Sequence, residues 1–130
     1  MIAPILALAL VAQGTGQFDL VCTGEQFDRL QGGRGTTFET HLRIDLEANR
    51  WCADECEAGR QIISVTPDKL VLEKVEPGPR GLRISRSTEI NRIEGSYEAW
   101  FSLIGASIQQ ARQEAQCELA PFSGMPTPRF

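Results

Sequence analysis

From Phe38 to Glu47 the side chains alternate in character residue by residue, and this period of two constrains the chain more than any other feature. Phe38, Thr40, Leu42, Ile44 and Leu46 share one face; Glu39, His41, Arg43, Asp45 and Glu47 share the other. A helix would scatter these residues around its circumference, whereas a strand buries one set and solvates the other. The same pattern recurs from Gln17 to Thr23, where Phe18, Leu20 and Cys22 share a face, so Cys22 is expected to point into the core. Gln61 to Thr66 and Lys69 to Val75 read as a hairpin broken by Pro67-Asp68. Leu82 to Ile93 resumes strand character, and Tyr97, Ala99 and Phe101 alternate against Glu98 and Trp100.

Turn signals separate these runs. Gln31-Gly32-Gly33-Arg34-Gly35 and Glu76-Pro77-Gly78-Pro79-Arg80-Gly81 read as loops, and Glu47 to Arg50 and Glu94-Gly95-Ser96 as turns. Residues 106–118 carry helix-favouring Gln, Ala, Arg and Glu. A last strand there suits a closed sheet better, with one C-terminal helix as the alternative. The expected fold is mainly β: a small antiparallel barrel or sandwich of about seven or eight strands.

A chain of 130 residues suits one domain. Ile2 to Ala12 holds no polar side chain and ends on the small residue Ala12, with Gly14 and Gly16 just beyond. That run is short of the ~20 apolar residues that span a bilayer, and matches a signal-peptide h-region. No Lys or Arg precedes it, a departure from the three-part pattern; a buried N-terminal strand or helix is the other reading. The expected organisation is a signal peptide at 1–14, a barrel-like domain at 15–120 and a Pro-rich tail at 121–130, in a periplasmic or secreted protein with no membrane span after cleavage.

Four cysteines beside an export signal imply disulfides. Four allow three pairings, and sequence alone does not choose among them. Cys22–Cys117 with Cys52–Cys56 is the expected set, because closing an antiparallel sheet makes its first and last strands neighbours. In Cys52-Ala53-Asp54-Glu55-Cys56 a redox pair would have two intervening residues rather than three, and a zinc site would need four ligands.

The net charge of −4, with arginines scattered among acids, argues against nucleic acid as partner. His41 is the single histidine and falls on a polar strand face, where solvation is the ordinary role. Gly32-Gly33-Arg34-Gly35-Thr36-Thr37 lacks the Lys and the spacing of a phosphate loop. Trp51 and Trp100 are candidate ligand-cavity aromatics. Glu94 and Glu98 are a conceivable acid–base couple. The residues point to no catalytic, cofactor-binding or metal set.

Phe-Asp-Leu-Val-Cys at 18–22, Arg-Ile-Asp-Leu at 43–46, Arg-Trp-Cys at 50–52 and the Cys…Pro-Phe-Ser-Gly-Met-Pro ending resemble a pattern in small exported bacterial β-rich proteins without assigned activity. The resemblance implies a compartment and a disulfide, and no reaction. More loosely, the architecture is similar to the periplasmic barrels that inhibit lysozyme; Gly95-Ser96-Tyr97 is a poor stand-in for their Ser-Gly…Tyr segment. The expected function is therefore that of a non-enzymatic binding or interaction protein, monomeric or weakly self-associated. It would act on an extracytoplasmic protein or a small molecule, as an inhibitor of a cell-envelope enzyme or as a ligand-holding barrel. A carboxylate-dependent glycan hydrolase is the alternative.

Overall fold

The computed structural model describes residues 16–28, 35–76, 83–105 and 108–126. Nine strands follow one another: β1 (Gln17–Asp28), β2 (Gly35–Asp45), β3 (Arg50–Ala53), β4 (Arg60–Gln61), β5 (Ser64–Val65), β6 (Lys69–Val75), β7 (Arg83–Asn91), β8 (Ser96–Ile104) and β9 (Ile108–Ala120). They form one antiparallel sheet in the order β4-β3-β2-β1-β9-β8-β7-β6-β5, curled into a half barrel. No helix occurs among the described residues. The proposed signal segment and most of the glycine-rich and proline-rich loops lie outside them.

The strand count exceeds the expected seven or eight for a specific reason. Gln61 to Thr66, read from sequence as one hairpin arm, is divided between two sheet edges. Arg60–Gln61 pairs with β3 and Ser64–Val65 pairs with β6. The two residues between them serve both sides: Ile62 N–H donates to Asn49 O (3.1 Å) and Ile63 N–H to Val71 O (2.9 Å). One short segment thus reaches from edge to edge of the curled sheet. Arg60 adds an ion pair to Glu73 of β6 (2.8 Å).

Residues 108–120 form a strand, and the helical alternative is set aside. β9 is flanked on both sides, by β1 over ten registered residues and by β8 over nine. Ladder bonds to two neighbours outweigh the fraction of a kcal/mol per residue by which Gln, Ala and Glu favour helix. Gly24 permits the closest approach, since a Cβ there would collide with the Glu114 carbonyl oxygen of β9.

Cys22 and Cys117 stand directly opposite in the β1–β9 register and are bonded. Cys52 and Cys56 are also bonded. Two disulfides fit an oxidising compartment. No helix among the described residues is long and apolar enough to cross a membrane.

The face read from the alternation is the one buried, with Asp19 and Asp45 buried on the opposite face as exceptions. Leu20, Leu42, Ile44, Trp51, Ile62, Leu70, Leu72 and Ile90 pack around Cys22 on the concave side of the sheet. This fills one end of the half barrel and leaves the other end to be lined by different chemistry.

Candidate functional site

Register places the concave side chains in layers. Next to the filled core lie Tyr97, Ala115 and Ile90, which face one another across β8, β9 and β7. One step toward the open end come Ala99 with Gln113, Thr88 with Glu73, and Gln26 opposite Gln113. A further step brings Phe101, Ala111, Arg86 and Val75, and then Ile84 beside Leu103. The wall therefore changes from apolar to polar and back to apolar along the strands.

Glu73 reaches this wall through a register shift. Strict alternation from Leu70 and Leu72 would turn Glu73 outward, but a bulge between Val71 and Glu73 moves the next residue onto the concave face. Glu73 is buried and accepts Arg60 Nη1 at 2.8 Å; Arg86 Nη1 lies farther off, at 4.0 Å. The Arg86 guanidinium sits 5.3 Å over the Phe101 ring, with its side chain 53 % exposed.

A chain of hydrogen bonds spans the polar layer. Tyr97 O–H donates to Gln113 Oε1 (2.9 Å), and Gln113 Nε2–H donates to Gln26 Oε1 (2.8 Å). Gln26, Gln113, Thr88, Tyr97, Glu73 and Arg86 surround an open cleft of about 240 Å3 with Phe101, Trp100 and two alanines. Burial pushes the Tyr97 phenol up to about 12, and the Asp54 and Glu73 carboxylates add to the shift. A folded-state value above the unfolded one means that the protonated phenol contributes stability below about pH 10. That contribution, on the order of 2–3 kcal/mol, is lost as pH rises toward 12. Tyr97 is the single tyrosine, so phenolate absorbance reports it alone. The phenolate should appear near pH 12, with loss of near-ultraviolet circular dichroism; ordinary titration near pH 10 in the folded state would contradict this burial.

The convex face carries a second polar arrangement. Asp19 is only 1 % exposed, although alternation assigns it to the outer face. Its carboxylate accepts His41 Nε2–H (2.6 Å), Ser123 Oγ–H (2.6 Å) and Ser123 N–H (3.2 Å). Arg43 donates to Gly124 O and Asp54 O (both 3.1 Å), and its Nη2 lies 3.3 Å from Cys52 Sγ. Residues 121–126 are thereby tied across β1 and β2. His41 and Ser123 both bond to Asp19, so the serine is not activated by the histidine as a nucleophile–base pair would require. The arrangement holds the tail.

The tryptophans are not brought together. Trp51 is buried in the core under the Arg60 guanidinium (4.8 Å). Trp100 is 48 % exposed; its Nε1–H donates to Glu98 (2.6 Å) on the convex face, and the residue also borders the cleft. Arg112 lies between Trp100 and Phe27, 5.3 and 4.8 Å from the two rings. Glu94 stands in the exposed turn between β7 and β8. Glu98 instead falls in a convex row with Glu89, Glu114 and Glu25. Among the described residues no cluster of His, Cys, Asp or Glu could hold a metal ion.

Sequence reasoning missed Asp19, Gln26, Gln113 and Glu73. The parity of β1 was a usable signal for Gln26, which shares the face of Phe18, Leu20 and Cys22. Compared with known proteins, the chain matches no family model, no curated protein and no solved structure.

Proposed function

We propose that this chain is a periplasmic or secreted binding protein that holds a small molecule in its concave cleft and performs no chemistry on it. The carrying observation is the polar layer of Gln26, Gln113, Thr88 and Tyr97, set between a filled core and an open mouth. A domain that needed only stability would gain by continuing the apolar core through this layer, because a buried polar network contributes little net stability even when satisfied. Convergent polar groups set beside aromatic and small apolar residues in a concavity can fix the orientation of a small ligand. The two disulfides favour the compartment.

Native mass spectrometry of the protein isolated from the extracytoplasmic fraction tests this reading. A small co-purifying mass is expected, absent from Ala99→Leu, which fills the cleft without removing a polar group. Wild-type protein that carries nothing and captures a protein partner insensitive to Ala99→Leu would favour the inhibitor reading instead. The row of Glu89, Glu98, Glu114 and Glu25 is the observation that favours the glycan-hydrolase alternative. Lys69, Trp100 and Arg112 already engage Glu89, Glu98 and Glu114 respectively.

A further inference from the structure

We infer that the cleft selects a short amphipathic carboxylate: an anionic head on an apolar group of a few carbons. The inference rests on the ligand-binding reading above and names the ligand class.

The charges decide the head group. Glu73 has its counter-charge in Arg60 at 2.8 Å, while Arg86 approaches the same carboxylate only to 4.0 Å. Arg86 rises from the layer above Glu73, with its guanidinium 5.3 Å over the Phe101 ring and Nη1 4.0 Å from the Glu73 carboxylate beside the amides. Within the lining one positive charge is thus incompletely matched. The neutral groups add donors: Gln113 keeps a second amide hydrogen, Gln26 its Nε2 hydrogens, and Thr88 a hydroxyl. Tyr97 spends its proton on Gln113 and so fixes the amide chain with its donor end toward Gln26. A guanidinium beside amide donors complements a carboxylate, which only accepts.

The layers decide the rest of the ligand. Phe101 flanks the polar groups, and Val75, Ile84 and Leu103 continue outward. Val75 and Ile84 are exposed at the mouth. A head seated among the amides leaves its apolar part against these residues. A volume of about 240 Å3 corresponds to roughly eight water molecules, which suits a head group and a short apolar chain.

Octanoate, 1-octanol and octylammonium share an apolar chain and differ in the head, so titrating each into the full chain and following amide chemical shifts separates the contributions. Octanoate should shift the resonances of Gln26, Gln113 and Thr88, and octylammonium should not. Arg86→Gln should weaken octanoate tenfold or more and leave octanol unchanged, since a charge-assisted hydrogen bond is lost only with the anion. Ala99→Leu should abolish the shifts with every probe. Equal binding of octanoate and octanol, indifferent to Arg86→Gln but blocked by Ala99→Leu, overturns the carboxylate class while the cleft remains a binding site. Absence of any shift with octanoate overturns the inference outright, and the co-purifying mass then decides separately whether the cleft binds something else.

Discussion

Replacing Cys22 and Cys117 together by Ala is expected to cost about 4–5 kcal/mol, against about 2 kcal/mol for the same change at Cys52 and Cys56. The first bridge spans 95 residues of sequence and the second 4, so the first removes far more freedom from the unfolded chain. Position adds to the difference. Cys22 and Cys52 are both fully buried, but the Cys22–Cys117 bond joins the two strands that connect the halves of the sheet. Cys52 and Cys56 close only the loop after β3, where Asp54, with φ 52°, already bonds back to Thr40 and to the His41 N–H. Urea unfolding of both double variants measures the contrast. Equal midpoints would mean that β1 and β9 are held by their ladder alone.

Asp19→Ala should be the next most damaging change, at about 2–3 kcal/mol, and should free the tail. The carboxylate is buried and accepts three hydrogen bonds, each of which is worth more than a neutral one because the acceptor is charged. His41→Ala should cost only about 1 kcal/mol, because its side chain is 47 % exposed and Ser123 still serves Asp19. Two readouts separate anchoring from general destabilisation. Chymotryptic cleavage after Phe122 should become rapid in Asp19→Ala under conditions where the core still resists, and stay slow in His41→Ala. Equal protection of Phe122 in both variants would show that Arg43, through Gly124, holds the tail without Asp19.

These residues also connect segments that are distant in the chain. Phe-Asp-Leu, Arg-Ile-Asp-Leu and Pro-Phe-Ser-Gly lie far apart in the chain, yet Asp19, Arg43, Ser123 and Gly124 meet on one face. Together these residues form a structural clasp that ties the tail across β1 and β2.

What the sequence determined by itself was local and periodic. The faces of Phe18 to Cys22 and Phe38 to Leu46 followed from parity, because a strand turns each successive side chain over and only one face can be buried cheaply. The inward direction of Cys22 came with them. The turn between β7 and β8 was legible at Glu94-Gly95-Ser96, where Gly95 supplies a φ of 68°; it begins earlier than expected, because Asn91 Oδ1 caps the Ile93 and Glu94 N–H groups in a stretch read as strand.

Tertiary structure decided whatever depended on a partner distant in sequence. Gln109 to Glu118 favours helix taken alone and becomes strand because β1 and β8 offer it ladders on both sides. Asp19 obeys its parity and is buried regardless, since the tail closes over the outer face. Glu73 breaks parity because a single inserted residue shifts the phase of β6, and no local signal in Lys69 to Val75 marks where that bulge falls. The cleft exists only because β1 pairs with β9, which sets Gln26 opposite Gln113 across 87 residues, and because the sheet curls around that pair. Periodicity specifies which way a side chain points; which side chain it then meets is set by register and curvature, which depend on packing between strands far apart in the chain.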